Sequence, residues 1–504
     1  MAEILSFLGS GFQSILTPTM IFSSFFGCLI GIIVGVIPAL GASAGIAILL
    51  PTIYGKDPLT SLVILSGIFF GSTFGGTITS VLINVPGDPC NICTTLDGYP
   101  IAKGGRPGAA IGMGSISPVV GGTFGIILLT FLAVPLARWG LRLSAPEYFA
   151  IYFFAFMCLM SSLGTRFYKG MFSLFLGLLI AFIGHDALTG VNRFTFGNIN
   201  FYDGINFAPA LIGLFGLGEI ICIIMTDVED GAQEDLSQSA DLSFKNMFPK
   251  FHELVKCPLI WLRSSFIGFF TGVLPGAGGA TASFFAYEFE KKIAKNKDKW
   301  GKGAMEGVAA AESANSSCFA GTYVPLFALG IPGSSTSAML LGALIILGCT
   351  PGPGFFAENP TLAWGTIASM YVSNLILIVV CSLTCPVFLW ILKSTNKVII
   401  TGIVTLCLVG VYSLGFEIID LWVMLVFGII GYFFKTRSIP MNPMILALIL
   451  GSNTEVALRR GLVLVKGDWL AFVSRPITLA FLIAAAIMLI LGIRSFLKAN
   501  YKHA

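Results

Sequence analysis

The sequence predicts an all-α polytopic membrane protein with about 10–14 transmembrane or re-entrant helices in two related halves. Only 11% of the 504 residues are charged, whereas 56% are hydrophobic and the mean hydropathy is +0.90. Soluble domains carry about 25% charged residues, so this chain could not cover a soluble surface. Apolar stretches recur along the sequence, and several are broken by Pro and Gly. Broken helices inside a membrane are tolerated only within protein or beside a water-filled cavity.

One long polar segment divides the chain. Residues 227–256 hold seven acidic and three basic side chains, a composition typical of a solvated linker. The sequence therefore predicts an N-terminal transmembrane half at residues 1–226 and a C-terminal transmembrane half at residues 257–504, each with its own hairpin motifs. The net charge of +4 is small and spread over short loops, which argues against nucleic acid as a partner.

The two halves share an ordered set of motifs. Segment 30–41 matches segment 267–278 at an offset of 237 residues. Val85-Pro86-Gly87 matches Ile331-Pro332-Gly333 at an offset of 246 residues, and Pro107-Gly108 matches Pro353-Gly354 at the same offset. Chance matching in a chain rich in Gly and Pro is the alternative. Paired interruptions at corresponding positions of two halves indicate a transporter site.

Equivalent loops of the two halves carry different numbers of basic residues. Residues 291–302 carry six Lys and one Asp, whereas the counterpart at 54–58 carries one Lys and one Asp. At the next loop the first half is instead the more basic one. Residues 97–106 include Lys103 and Arg106, whereas the counterpart at 348–353 is uncharged. The positive-inside rule then predicts an inverted repeat with the lysine-rich loop and the basic C-terminal tail in the cytoplasm. Random loop charge is the alternative.

The first motif is a Gly/Pro turn inside an apolar stretch, at residues 38–43 and 275–281. Pro ends the preceding helix because it lacks a backbone donor, and Gly permits a tight reversal. The pattern predicts a re-entrant hairpin or unwound helix whose free N–H groups suit a carboxylate and whose carbonyls suit Na⁺. A packing kink is the alternative. The candidate hairpin or ion residues are Gly41, Ser43, Gly278, Gly279 and Thr281.

The second motif is a helix that ends at Pro-Gly before hydroxyl residues start another, at residues 77–88 and 330–337. A helix start rich in Ser or Thr supplies caps and donors, which in a membrane must face protein or a cavity. Asn84 and Asp88 are candidates for binding a cation or a substrate hydroxyl, with capping of the local turn as the alternative. Thr77 and Thr79 are further candidate ion or hairpin residues.

The third motif is a polar patch on an apolar helix, formed by Glu306, Glu312, Asn315, Ser316 and Ser317. An ionisable group inside a membrane indicates a functional site by default. Glu312 and Asn315 are three residues apart and so share a helix face. They form the stronger pair, since Glu306 follows the lysine-rich loop closely and is expected at the membrane interface.

Several other functional classes lack sequence support. The chain has no Walker loop or nucleophile elbow, and its three His are scattered. Cys90 and Cys93 have CxxC spacing without a second pair. We therefore predict no enzyme activity, no cofactor and no metal apart from Na⁺; the expected coupling ion is Na⁺ or H⁺. Arg459 and Arg460 are expected to anchor at a membrane interface.

These motifs resemble the TctA family, the large membrane subunit of tripartite tricarboxylate transporters. The departures are Ala39, where the family commonly has Gly, and Cys90 and Cys93, where small residues are usual, so the resemblance does not fix the substrate. The stretches that carry the resemblance cover nearly the whole chain and lie at residues 31–41, 67–76, 84–102, 268–278, 301–315, 329–342 and 451–476.

The resemblance implies secondary, ion-gradient-driven uptake of tricarboxylates or related organic anions across a bacterial inner membrane by alternating access. It implies two partners, a small four-helix membrane subunit and a periplasmic solute-binding protein; a homodimer is a further expectation. The alternative is a stand-alone secondary carrier of another small solute that needs no binding protein. The substrate-binding residues that the family pattern implies here are Asn84, Pro86, Gly87, Pro332, Gly333, Ser334, Ser335 and Thr336.

Overall fold

A computed structural model describes most of the chain, and the described residues are predominantly helical. The only strands in this part of the chain are Gly184–His185 and Asn192–Arg193, which pair antiparallel. The segment 227–247 lies outside the described residues, as do Pro38, Ala39 and Val85, so most of the predicted linker and the start of the first predicted turn are not described. Residues 248–256 of the predicted linker are described and include the short helix Phe251–Leu254. The described residues are 2–37, 41–53, 55–82, 84, 86–161, 163, 166–186, 188–226, 248–275, 278–393, 404–405, 407–409, 411–412 and 416–501.

The described helices confirm the predicted all-α polytopic membrane fold. Six are long and apolar enough to cross a membrane: Pro18–Val36, Pro58–Leu82, Pro107–Gly140, Pro360–Cys381, Ile418–Thr436 and Pro476–Arg494. In chain order, the helices are α1 Ala2–Ile15, α2 Pro18–Val36, α3 Gly41–Leu49, α4 Pro58–Leu82, α5 Ile92–Lys103, α6 Pro107–Gly140, α7 Ala145–Ser161, α8 Phe167–Ala181, α9 Phe207–Leu211, α10 Gly218–Thr226, α11 Phe251–Leu254, α12 Pro258–Val273, α13 Gly278–Ile293, α14 Met305–Leu329, α15 Ser335–Ile346, α16 Phe355–Glu358, α17 Pro360–Lys393, α18 Ile418–Thr436, α19 Asn442–Leu464, α20 Trp469–Val473 and α21 Pro476–Tyr501.

The same close helix contacts occur in both halves. Glycines of α2 lie against the backbone of α4, and glycines of α12 lie against the backbone of α14, so closely that an added Cβ would overlap it. The pairs are Gly31–Ile68 and Gly35–Ser72 in the first half, and Gly268–Ala314 and Gly272–Cys318 in the second. These pairs are related by the offsets of 237 and 246 found in the sequence. Small residues permit this approach, which provides close van der Waals packing inside a membrane.

The equivalent helices α4 and α14 run antiparallel, and the repeat is therefore inverted. Ser66 hydrogen-bonds Tyr323 with 3.1 Å between their oxygens, and the rings of Phe69 and Phe319 are 4.1 Å apart. Further along α4, Thr77 donates to Glu312. Residue numbers thus rise along one helix as they fall along the other. A pseudo-twofold axis must pass between the helix midpoints, near residues 71–72 and 317–318.

Each half contains a helical hairpin that turns back inside the protein. Gly45 of α3 lies against Val34 of α2, and Arg263 of α12 forms an ion pair with Glu290 of α13, at 2.7 Å. Both contacts join positions equally far from the turn, which is the pattern of an antiparallel hairpin. Both hairpin tips resume their second helix at a glycine with positive φ, +62° at Gly41 and +65° at Gly278.

The two halves interlock, and their loops segregate to two ends of the molecule. The Asp97 carboxylate accepts backbone hydrogen bonds from Gly301, Gly303 and Ala304, so the loops after α5 and α13 lie at the same end. Leu59 contacts Gly365, which places the loops before α4 and α17 at the other end. Equivalent loops thus lie at opposite ends, as their charges predicted. Which end faces the cytoplasm stays a prediction.

Candidate functional site

Asp88 caps two helix starts in the first half. Its carboxylate accepts hydrogen bonds from the backbone N–H of Ala42, at 3.1 Å, and of Cys90, at 3.2 Å. The first lies in the opening turn of α3, and the second opens a 3₁₀ turn at Pro89–Asn91. The start of α3 was predicted to attract a substrate carboxylate. The structure shows that the chain's own carboxylate already satisfies a backbone donor there.

The described features of the residues around Asp88 are backbone conformations and contacts with backbone. Asn84 is exposed and has a φ of +56°, and its counterpart at offset 246 is Gly330, with a φ of +70°, which ends α14. A left-handed residue after a helix is usually Gly and sometimes Asn. A Cβ at Gly87 would lie 2.5 Å from the Gly35 carbonyl oxygen. The Thr79 hydroxyl donates to the Gly76 carbonyl at 3.0 Å, within α4.

The second half has a hydroxyl where the first has Asp88. Ser334 stands at offset 246 from Asp88 and caps α15 by accepting from the Ser337 N–H at 3.2 Å. Ser334 and Ser335 line a cavity of about 20 Å³ together with Pro332 and Asn442, which is room for about one water molecule. Thr336 is buried. The N–H groups of Ser334 and Ser337 are used by each other's hydroxyls in a capping box, so this helix start has hydroxyl caps and no carboxylate cap.

The second hairpin meets the loop after Pro86-Gly87 of the first half. An added Cβ at Gly279 would overlap the Asn315 amide oxygen and would lie 2.8 Å from the Cys90 sulfur. Gly333 lies against the Gly272 carbonyl, as Gly87 lies against that of Gly35. The structure thus brings predicted residues of both halves together around α14. Ser43 and Thr281 are half-buried, and no hydrogen bond of their side chains is described.

Glu312 lies at the centre of a buried polar cluster. Its Oε1 accepts from the hydroxyls of Thr77, at 2.8 Å, and Thr94, at 2.5 Å, and from the Asn91 amide at 3.1 Å. Glu312, Asn315 and all three partners are fully buried. Sequence reasoning missed Asn91 and Thr94. They are about one helical turn apart and follow Asp88 closely. The sequence feature that could have identified them is this polar stripe, on a helix to which no functional role was assigned.

Asp97 is a second residue that sequence reasoning missed. It is fully buried, and besides its three backbone bonds at the start of α14 it accepts from the Tyr287 hydroxyl at 2.8 Å. These bonds join α5 of the first half to α13 and α14 of the second. An acidic residue in an apolar stretch was the available signal. The geometry gives Asp97 a positioning role, since its contacts hold the helix that carries Glu312.

A larger cavity, which we call the vestibule, has a volume of about 410 Å³. Tyr148, Tyr152, Asn453 and Arg460 line it together with Leu329 and the loop at 351–353, so it lies at the end opposite the lysine-rich loop. The vestibule and the cavity at Ser334 both lie between α7 and α19. Along α7 the nearest lining residues, Tyr152 and Leu159, are separated by about 10 Å of helix.

Ion pairs fix the loop beside the vestibule. Asp186 pairs with Arg193, at 2.5 Å, and with Arg459, at 2.7 Å, and Glu455 pairs with Arg193 at 2.9 Å. Hydrogen bonds from Thr189 and Arg459 hold the pKa of Asp186 well below its usual range. Arg459, expected to be an interface anchor, is thus an ion-pair partner. Arg460 is exposed in the vestibule, and no ion pair is described for it.

The model of one transporter family matches residues 21–446, and its description is "Tripartite tricarboxylate transporter TctA family". The chain belongs to the TctA family. It is therefore a multi-pass subunit of a tripartite tricarboxylate transporter, and the family is one of transporters rather than enzymes.

Two curated proteins of Agrobacterium vitis are similar to this TctA-family chain. One, described as an uncharacterized 52.8 kDa protein in the TAR-I ttuC' 3' region, is 36% identical over 485 residues, which cover 96% of this chain and 95% of the relative. The other, described as an uncharacterized protein in the TAR-II ttuC' 3' region, is 37% identical over 236 residues, which cover 46% of this chain and 96% of the relative. No solved structure matches the chain.

Proposed function

We propose that this chain is the translocating subunit of an ion-coupled importer of organic anions such as tricarboxylates. It would work by alternating access in a bacterial inner membrane, together with a small four-helix membrane subunit and a periplasmic solute-binding protein. The tripartite family supports a requirement for partner subunits. A homodimer is compatible with this proposal and is not needed for the site described below.

The difference between Asp88 and Ser334 carries this proposal. An anion is repelled where Asp88 occupies the start of α3, but the start of α15 offers Ser334, Ser335 and the amide of Asn442 without a carboxylate. Helix N-termini attract anions through their free N–H groups and the helix dipole. We therefore place the anion-binding site in the second half, at the start of α15.

The path to the Ser334 cavity supports uptake from the end opposite the lysine-rich loop. The vestibule offers Arg460, Asn453 and two tyrosine hydroxyls, which suit a carboxylate. The cavity of about 20 Å³ is too small for a tricarboxylate, so binding there requires the surrounding helices to move. Movement of α7 and α19 against the hairpins would open this cavity to the vestibule.

Transport in proteoliposomes tests the proposal. The two membrane subunits would be reconstituted and supplied with labelled di- and tricarboxylates, with or without the purified solute-binding protein, under an imposed Na⁺ or pH gradient. We expect uptake only with the binding protein and an inward cation gradient, because the coupled cation drives uptake only while it moves down its own gradient. A membrane potential adds about 2.3 kcal/mol per 100 mV for each net positive charge moved inward. Uptake without the binding protein would support the stand-alone carrier instead.

A further inference from the structure

Glu312 is a buried carboxylate whose two oxygens have different surroundings. Oε1 accepts three hydrogen bonds, from Thr77, Asn91 and Thr94, whereas Oε2 accepts none from the described part of the protein. The residue lies about one and a half helical turns from the pseudo-twofold axis. It is therefore deep in the protein, close to the level at which the two halves cross.

Among the described residues, no cationic side chain compensates Glu312, since no Lys, Arg or His forms an ion pair with it. The thiols of Cys90 and Cys93 are titratable groups close to it, and these thiols in turn face Cys318, Asp88 and Glu288. An unpaired buried charge costs several kcal/mol or more. Glu312 must therefore be neutralised, either by a proton or by a bound cation.

The neighbouring amides favour a cation over a proton. Both polar atoms of the Asn315 side chain and the amide oxygen of Asn91 are buried and find no partner among the described residues. A proton on Glu312 would supply one O–H donor, which can satisfy at most one of these acceptors and leaves the others without a partner. A cation would coordinate several acceptor oxygens at once, and the Asn91 Nδ2 would keep its hydrogen bonds to Thr73 and Glu312.

The oxygen types match a hard monovalent cation. The cluster offers one carboxylate, the hydroxyls of Thr77 and Thr94, and the amide oxygens of Asn91 and Asn315. Carboxylate, hydroxyl and amide oxygens are ligands of hard cations, whereas transition metals favour His and Cys. One carboxylate balances one positive charge, which selects a monovalent ion over a divalent one.

We propose that Glu312, Asn91, Asn315, Thr77 and Thr94 form a binding site for a monovalent cation of the size of Na⁺. The site joins α4 and α5 of the first half to α14 of the second, so its occupation holds the two halves together. That this ion is the one coupled to anion uptake rests on the proposed function; the binding site itself does not.

Thermal unfolding of the purified protein tests the site without any substrate. The midpoint would be measured in NaCl and in choline chloride at equal ionic strength and pH, and ²²Na⁺ binding would be measured in parallel. Because a ligand stabilises the state that binds it, we expect Na⁺ to raise the wild-type midpoint and Glu312→Gln to weaken Na⁺ binding at least tenfold. Asn315→Ala should also weaken binding, and it provides the readout if Glu312→Gln does not fold.

Glu306→Gln is the matched control, because Glu306 is on the same helix beside the lysine-rich loop and outside the cluster. It should leave Na⁺ binding unchanged. Equal midpoints in Na⁺ and choline for the wild type, with uptake driven by a pH gradient alone, would overturn the site in favour of a proton. Na⁺ stabilisation that persists in a protein unable to take up any carboxylate would instead refute the proposed function and leave the site intact.

Discussion

The two halves place different chemistry at equivalent positions. At offset 246, Ser66 corresponds to Glu312 and Thr77 to Tyr323, so the hydrogen bond between Ser66 and Tyr323 is the counterpart of the bond between Thr77 and Glu312. Around the first pair the neighbours are the rings of Phe69 and Phe319. Around the second they are amides and hydroxyls. The same helix contact is thus surrounded by aromatic rings in one place and belongs to the proposed cation site in the other.

A second difference between the halves is the charge of a helix cap, and here the acidic residue is in the first half. Asp88 of the first half corresponds to Ser334 of the second, so the acidic cap lies near the start of α3 and the neutral cap near the cavity below the vestibule. The start of α3 thus has a carboxylate as its cap, whereas the start of α15 is capped by a hydroxyl. Under the two proposals, the inverted repeat provides two related sites, one for a cation at Glu312 and one for an anion at Ser334.

Copying the acidic cap into the second half should have the largest effect. Ser334→Asp would keep the cap of α15 but would place a negative charge in the cavity at Ser334, where we propose that the anion binds. Two like charges about 4 Å apart repel by about 4 kcal/mol in a partly polar interior, so we expect carboxylate uptake to fall at least 100-fold. Ser334→Asn has the same shape without the charge and caps a helix equally well. Similar uptake in the two variants would show that charge at this position is irrelevant.

Glycine replacements test whether the two halves pack equivalently. Gly35→Ala and Gly272→Ala each add a Cβ that meets backbone of the neighbouring helix. Overpacking of this kind costs about 1–3 kcal/mol, and we expect similar losses of unfolding free energy for both variants, measured in detergent. Gly9→Ala is a suitable control, because nothing lies within 4 Å of its added Cβ. A loss at only one of the two glycines would contradict the packing equivalence.

Removing the charge of the vestibule should have a moderate effect. Arg460→Gln should raise KM for the anion about tenfold and leave kcat nearly unchanged, because an exposed cation concentrates anions at the cavity mouth. Added salt should narrow the difference from the wild type, since exposed charges are screened. Arg142→Gln is the control: Arg142 is exposed at the same end but does not line the vestibule. Equal KM changes in both variants would point to a general surface effect.

Asn84 should tolerate replacement by Gly, which is the residue at the equivalent position of the second half. Gly330 fills the equivalent left-handed position in the second half, so Asn84→Gly should retain uptake within about twofold. A side chain that cannot adopt a positive φ, such as Val, should lower the amount of folded protein instead. Loss of uptake in a well-folded Asn84→Gly protein would restore the amide as a substrate or ion ligand.

Much of the architecture could be predicted from local sequence features. The low charge content predicted the membrane fold, and the motifs at Pro38, Pro86, Pro275 and Pro332 predicted two related halves with broken helices. The lysine-rich loop predicted that equivalent loops lie at opposite ends. These features were readable because hydrophobicity, Pro and Gly act on the backbone within a few residues. The roles of Asn91, Thr94 and Asp97 could not be predicted in this way.

The sequence by itself determined the membrane class, the duplication and the places where helices break, because each depends on composition or on local backbone geometry. The tertiary structure decided which side chains meet. Thr77 and Glu312 are 235 residues apart in the chain, and Asp97 and Ala304 are 207 apart. Only the antiparallel approach of α4 and α14 brings a buried carboxylate to amides and hydroxyls of the other half, and no local pattern encodes that approach.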